Sequence, residues 1–221
     1  MLGAGTCTLT GNQAGDANWN AAAQATQTVA ITAIAPGAPT GVAATAGDAK
    51  ATVTWVAPTA TGGSPITGYT VAAVEDASKT CTPNPATALT CEVAGLANGT
   101  AYTFTVTATS PAGTGNASAA SNSVTPAAPQ IITFGNPGTQ NFGTTPTLTA
   151  TSSAGGGYPV SFTSSTTGVC TITSAGVLTF VTAGSCSIHA NQAGGSSYLA
   201  APQVSQTFTV AAVVPGAPTA A

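Results

Sequence analysis

Five cysteines are the residues of this 221-residue sequence with the clearest potential for chemistry. Cys81 and Cys91 bracket TPNPATALT, which resembles a hairpin loop, and Cys170 and Cys186 are expected on neighbouring strands further along. Metal ligation is the alternative, but there is no C-x-x-C motif and only one histidine. The sequence therefore predicts the disulfides Cys81–Cys91 and Cys170–Cys186, with Cys7 left unpaired by truncation of the chain. Such bonds imply an oxidising location outside the cytoplasm.

Acid–base catalysis has few candidate groups. His189, the sole histidine, alternates with Ile188 and is expected on the solvent face of a strand, away from any carboxylate or nucleophile. Glu75 and Asp76 are adjacent on or just after a strand, so they are expected to diverge, whereas the carboxylates of glycosidases converge on a substrate. No G-x-S-x-G or phosphate-binding motif occurs. The sequence predicts no enzyme activity, no cofactor and no metal.

The low charge limits the classes of partner. Two Lys/Arg and five Asp/Glu residues give a net charge of −3. Nucleic acids and anionic membranes attract clustered basic residues, so neither is expected as a partner. No apolar run is long enough to span a bilayer, and the first residues lack the pattern of a signal peptide. We expect no membrane insertion and no signal peptide within this segment.

Short stretches with two-residue alternation recur along the chain. ATVTWV, AYTFTVTA and SQTFTV are examples, and clusters such as TGGSP and LANGT separate them. No long segment has the 3.6-residue period of an amphipathic helix. Alternating strands between frequent turns are typical of β-sandwiches. The predicted fold class is all-β, with several small sandwiches in tandem.

An internal repeat defines the domain organisation. AGTCTLTGNQAGDANWNAAAQATQ aligns without a gap with AGSCSIHANQAGGSSYLAAPQVSQ, so that Cys7 matches Cys186 and Trp19 matches Tyr198, each 179 residues apart. The predicted domains are therefore the C-terminal part of a truncated module (1–34), two complete modules (35–126 and 127–214) and the start of another (215–221). We expect the chain to be a fragment of a longer repeat protein, with residues 1–34 packing poorly.

Residues 35–126 resemble a fibronectin type III domain. Trp55 in ATVTWVAP takes the place of that family's core tryptophan, and Tyr69 in GGSPITGYTV begins the next strand. In GLANGTAYTFTVTA, Leu96 and Tyr102 match the tyrosine corner, in which a tyrosine hydroxyl bonds back to the backbone. The resemblance implies a sandwich core built around Trp55, Tyr69, Leu96 and Tyr102.

Residues 127–214 resemble the bacterial Ig-like repeats of large exported proteins, and residues 1–34 resemble the last third of another copy. These resemblances imply a non-catalytic spacer segment of a secreted or cell-surface bacterial protein, with neighbouring domains of the same chain as partners. An adhesin segment, or a carbohydrate-binding accessory module of a secreted polysaccharide-degrading enzyme, is the alternative. The partner would then be an extracellular glycan or protein, and the fold alone does not decide.

Two aromatic residues bear on that alternative. Trp19 and Tyr198 hold the same place in the repeat, where an exposed ring could stack on a sugar. The other interpretation is that each ring plugs the end of a sandwich core, the more common use of such a residue.

Overall fold

The computed structural model describes residues 3–213, and within that range it contains β-strands and no α-helix. The all-β prediction is confirmed. The chain divides into two compact units, one formed by Met1–Ala97 with Ala101–Thr125 and the other by Asn98–Thr100 with Pro126–Ala221. Residues 215–221, where a further domain is predicted to begin, lie outside the described residues.

The first unit begins with an antiparallel hairpin of β1 (Gly5–Gly11) and β2 (Ala25–Ile31). Gly5 lies opposite Ile31, and every residue of β1 is exposed. The chain after β2 is attached to the rest of the unit by a hydrogen bond from Ile34 N–H to Gly62 C=O (2.9 Å). Gly62 has φ +71°, and an added Cβ would lie 2.0 Å from the Ile34 oxygen, so only glycine permits this approach.

The remainder of this unit is a two-sheet sandwich. Its strands are β3 (Thr40–Ala46), β4 (Lys50–Val56), β5 (Gly68–Ala73), β6 (Thr80–Cys81), β7 (Thr90–Ala94), β8 (Phe104–Ser110) and β9 (Gly113–Thr114). One sheet has the order β3-β4-β7 and the other β6-β5-β8-β9. Burial alternates strictly along β4, where Ala51, Val53 and Trp55 face inward. This two-residue period is the pattern expected when one face of each sheet covers the core.

The four residues predicted to centre this core are all buried. Trp55 and Tyr69 pack with ring centroids 5.4 Å apart, and Leu96 is 3% exposed. The Tyr102 hydroxyl accepts a hydrogen bond from Ala97 N–H at 3.2 Å. That bond ties the start of the Phe104–Ser110 region back to the preceding loop, as the tyrosine corner does in Ig-like sandwiches.

Up to residue 213, the second unit contains eight strands. They are β10 (Ile132–Thr133), β11 (Gln140–Asn141), β12 (Thr151–Ser152), β13 (Ser161–Ser164), β14 (Cys170–Ile172), β15 (Leu178–Phe180), β16 (Gly184–Asn191) and β17 (Val204–Ala211). The main sheet has the order β11-β17-β16-β13, with two-stranded sheets β10-β12 and β14-β15. Their inward side chains form one core, which includes Phe134, Phe162, Leu178, Ile188 and Phe208.

Each unit contains one disulfide, and each joins two different sheets. Cys81 on β6 is bonded to Cys91 on β7, with Cα atoms 6.2 Å apart, and Cys170 on β14 is bonded to Cys186 on β16, with Cα atoms 5.7 Å apart. The expectations of a hairpin-like loop for the first pair and of neighbouring strands for the second are wrong, because each pair spans the sandwich. Each bond therefore holds the two layers of its core together.

Candidate functional site

The adjacent carboxylates Glu75 and Asp76 lie in the turn after β5 and make hydrogen bonds to different partners. Thr103 donates to Glu75 from both its backbone N–H and its hydroxyl, each at 2.8 Å. Asp76 Oδ1 accepts from the N–H of Ser78 at 2.9 Å and from its hydroxyl at 2.6 Å. The Thr103 backbone bond lowers the pKa of Glu75, and the Ser78 hydroxyl lowers the pKa of Asp76. Asp76 stabilises the turn, whereas Glu75 ties the turn to the residue before β8, and the two carboxylates do not share a partner.

His189 lies on the outer face of β16, as predicted, and is half-buried. Its Nδ1 is 2.6 Å from the Ser205 hydroxyl on the adjacent strand β17. This contact is a cross-strand pair on a sheet surface. It lacks the third group that would orient the imidazole for general-base catalysis.

Groups of three or more His, Cys, Asp or Glu that could hold a metal ion do not occur between residues 3 and 213. Over the same residues, no helix is long and apolar enough to cross a membrane. The remaining candidate site is the aromatic position that the sequence repeat places at Trp19 and Tyr198.

The two copies of this aromatic position lie in loops with matching hydrogen bonds. Asp16 N–H donates to Trp19 C=O at 2.8 Å, and in the second copy Gly195 N–H donates to Tyr198 C=O at 2.8 Å. Across the base of each loop, Ala22 N–H donates to Gln13 C=O at 3.2 Å, and Ala201 N–H to Gln192 C=O at 3.1 Å. The two copies therefore share a backbone conformation as well as a sequence.

Each loop contains a glycine at a position where the backbone approaches itself closely. An added Cβ at Gly15 would lie 2.3 Å from the Trp19 oxygen, and one at Gly194 would lie 2.6 Å from the Ala200 nitrogen. These distances are shorter than any van der Waals contact, so the NQAG motif needs its glycine in both copies.

The two aromatic side chains differ in environment. Trp19 is 74% exposed, and its backbone N–H donates to Asp16 Oδ1 at 2.9 Å. Trp19 therefore does not plug a core. Tyr198 is half-buried and packs edge-to-face against Tyr158, with ring centroids 5.0 Å apart. The equivalent positions thus carry a solvent-exposed tryptophan in one copy and, in the other, a tyrosine that packs against a second tyrosine.

A buried amide network underlies the Tyr198 loop. Gln130 and Gln192 are 3% and 5% exposed, and the Gln130 amide donates to the Gln192 carbonyl and, at 2.6 Å, to Leu199 C=O. The Ser152 hydroxyl donates to Gln130 Oε1 at 2.5 Å, and Gly194 N–H donates to Gln192 Oε1 at 2.8 Å. These glutamines were not predicted from the sequence. The repeated NQAG motif was the signal that pointed to one of them.

Comparison with known proteins agrees with this architecture. Residues 37–124 match the model of the fibronectin type III domain. Endoglucanase B of Cellulomonas fimi is 43% identical over 104 residues, which are 47% of this chain and 9% of that protein. The chain therefore matches only a small part of that relative.

Two solved structures show looser similarity. The FN1-FN3 domains of chicken CNTN1 are 18% identical with a TM-score of 0.38, over 80% of this chain and 67% of that one. Titin kinase with its flanking domains is 27% identical with a TM-score of 0.36, over 42% of this chain and 18% of that one. Neither overlap bears on function.

The two sheets, the tryptophan core and the tyrosine corner of the first unit define an Ig-like β-sandwich. Within that class, it is the fibronectin type III family whose model residues 37–124 match.

Proposed function

We propose that this chain is a non-catalytic spacer segment of an exported bacterial repeat protein. In this proposal fibronectin type III domains alternate with bacterial Ig-like domains, of which residues 127–214 are one and residues 1–34 the end of another. The role of the segment is to hold other domains of the same protein apart. Its partners are those neighbouring domains, and its location is extracellular or at the cell surface.

One observation carries the proposal. The hairpin β1–β2 repeats the hairpin β16–β17 in sequence, strand register and loop hydrogen bonds, on either side of a fibronectin type III domain. Alternation of two module types is the arrangement expected of a spacer array. The disulfides support the exported location, because such bonds persist outside the reducing cytoplasm.

Hydrolysis and retention assays on the full chain test this proposal. The purified chain is incubated with cellulose, chitin and peptidoglycan, and both released reducing sugar and sedimented protein are measured. A spacer releases no sugar and stays in the supernatant. Release of sugar above a heat-inactivated sample would refute a non-catalytic role.

A carbohydrate-binding accessory role is the second candidate. Two observations favour it, the free indole of Trp19 and the similarity to part of an endoglucanase. An exposed tryptophan is a good surface for stacking against the C–H face of a sugar ring. Retention on one glycan that is lost in Trp19→Ala, but kept in Trp55→Phe as a control for the other tryptophan, would favour this role over the spacer.

A further inference from the structure

A small cleft in the second unit has an aromatic ring in its wall. The cleft lies between β12 and the glycine-rich turn that follows it, and its volume is about 240 Å³. We call it the Tyr158 cleft. The residues that line it include Thr151, Ser152, Gly155, Gly156, Tyr158 and Pro159. Clefts that hold drug-sized ligands have volumes of roughly 300–1,000 Å³, so this one offers room for a single ring.

Tyr158 is held in the wall of the cleft without being covered. One edge of its ring lies against Gly195, where an added Cβ would come within 2.3 Å of Cε1. Any side chain at position 195 would therefore displace the ring. The Tyr158 N–H donates to Gly155 C=O at 3.1 Å, and the ring packs against Tyr198. Tyr158 remains half-buried, so part of its surface is open to a ligand.

Hydrogen bonds also fix the turn that forms the other side of the cleft. The Ser152 hydroxyl donates to the buried Gln130 and accepts from Ala154 N–H at 3.1 Å. Ile131 N–H donates to the Ser153 hydroxyl oxygen at 3.0 Å, and Ser153 N–H donates to Ile131 C=O at 3.0 Å. The cleft is therefore preformed, and a ligand does not have to order it.

Several hydrogen-bonding groups beside the ring have no partner within residues 3–213. They are the Thr151 hydroxyl, the backbone N–H and C=O of Gly156, and the Tyr158 hydroxyl. Gly156 has no side chain to cover them, and a Cβ added there would meet nothing within 4 Å. These donors and acceptors are thus accessible to a ligand that carries hydroxyl groups of its own.

The charge of the second unit restricts the ligand further. Asp, Glu, Lys and Arg do not occur in the sequence after Glu92, so the cleft has no ionic side chain to offer. A charged ligand would lose part of its hydration there and gain no opposite charge in return. The ligand that fits the cleft is therefore neutral.

A neutral sugar ring fits these features better than a peptide does. A hexopyranose whose hydroxyls are all equatorial has only C–H groups on its faces, which suit an aromatic ring, and its rim of hydroxyls suits the groups of Thr151 and Gly156. Proline-rich peptides are the other neutral ligands of aromatic sites, but they dock along a groove that spans several residues. The Tyr158 cleft holds one ring.

We propose that the Tyr158 cleft binds one sugar ring of a neutral β-1,4-linked glucan chain. Tyr158 stacks against a face of the ring, and the Thr151 hydroxyl and the Gly156 backbone bond its hydroxyls. The inference goes beyond the spacer role. It rests on the second candidate function for the class of ligand, but its residues lie in a different unit from Trp19.

A titration of the full ¹⁵N-labelled chain with cellohexaose, followed by NMR, tests the proposal. The backbone amides of Thr151, Gly155 and Gly156 should shift together and fit one dissociation constant, in the millimolar range. Added salt should leave that constant unchanged, because no ionic contact contributes. In Tyr158→Ala the constant should rise about tenfold, since the loss of an aromatic contact of about 1.4 kcal/mol is a factor of ten. Tyr158→Phe keeps the ring and should retain most of the affinity.

A second pair of variants blocks the cleft without removing the tyrosine. A Cβ added at Gly156 or at Gly135 would meet nothing within 4 Å, and neither glycine has a positive φ, so Gly156→Leu and Gly135→Leu should both fold. Gly156 lines the cleft and Gly135 does not. Gly156→Leu should therefore lose binding at least as strongly as Tyr158→Ala, whereas Gly135→Leu should bind like the original chain.

Equal dissociation constants in Gly156→Leu and Gly135→Leu would overturn the proposal. Shifts confined to the loop around Trp19, and abolished by Trp19→Ala, would support the second candidate function but refute a site at Tyr158. If cellohexaose shifts no amide anywhere, both fail together. Shifts of the cleft amides by a decaproline peptide, with none by cellohexaose, would make the cleft a peptide site and would also contradict the proposal.

Discussion

Cys7 and Cys186 occupy the same position in two hairpins of matching register, yet one thiol is exposed and the other is buried in a disulfide. Cys7 lies opposite Val29 and Cys186 opposite Phe208. The difference between them is the layer formed by residues 127–183, which covers the second hairpin and supplies Cys170. The environment of the hairpin, and not its own sequence, decides the state of the cysteine.

The Cys170–Cys186 bond is expected to be a major source of stability in the second unit. It spans 16 residues, and a loop of that length is worth about 3 kcal/mol in the chain-entropy model. Replacing both cysteines by alanine should lower the free energy of unfolding of this unit by that order, measured by hydrogen exchange of β16 and β17 across a denaturant series. Cys7→Ser is the matched control and should change it by less than about 0.5 kcal/mol.

Gln192 and Gln13 provide a second matched pair, because they are equivalent in the repeat but differ in burial. Gln192→Ala removes a buried amide and leaves the Gln130 amide short of an acceptor, so it should cost about 1–3 kcal/mol. Gln13 is exposed, so Gln13→Ala should be nearly neutral. Thermal unfolding of both variants measures the difference, and equal effects would contradict the buried network.

Tyr102→Phe tests the tyrosine corner. The substitution keeps the buried ring and removes the acceptor of Ala97 N–H, so the first unit should lose about 1 kcal/mol. Trp55 fluorescence in a Trp19→Phe background follows unfolding of this unit alone, because the second unit contains no tryptophan among its described residues. Tyr198→Phe, in the second unit, is the control and should leave the transition unchanged.

Glu75 is expected to give the first unit a small dependence on pH. The Thr103 backbone bond lowers the pKa of Glu75 in the folded state, so its contribution is present above the unfolded pKa and is lost as the pH falls through the folded pKa. The carboxylate is exposed, so the contribution should be about 0.5 kcal/mol or less. Glu75→Gln should remove it near neutral pH and flatten the loss of stability in acid. If the stability of that variant falls in acid as steeply as that of the original chain, the pH dependence comes from other groups.

The sequence was sufficient for the fold because alternation and the repeat are local signals. Trp55 and Tyr102 could be placed in the core because residues 35–126 resemble a fibronectin type III domain. The sequence did not predict that each disulfide joins two sheets. Which sheet β6 or β7 joins depends on pairing with strands that are distant in the sequence. The Gln130–Gln192 pair was missed for the same reason, because 62 residues separate its members.

The different environments of equivalent residues in the two copies also could not be predicted from the sequence. Trp19 and Tyr198 align, but Tyr158, which supports one of them, is remote in sequence from both. An exposed and a packed aromatic therefore give the same local pattern.

The bonding state of the five cysteines, free or paired, tests the repeat architecture most directly. The chain is exported to an oxidising compartment, alkylated without denaturant or reductant, digested and mapped by mass spectrometry. We expect one alkylated cysteine, Cys7, with Cys81 linked to Cys91 and Cys170 to Cys186. A protected Cys7 in the monomer, or any other pairing of the remaining four, would contradict it.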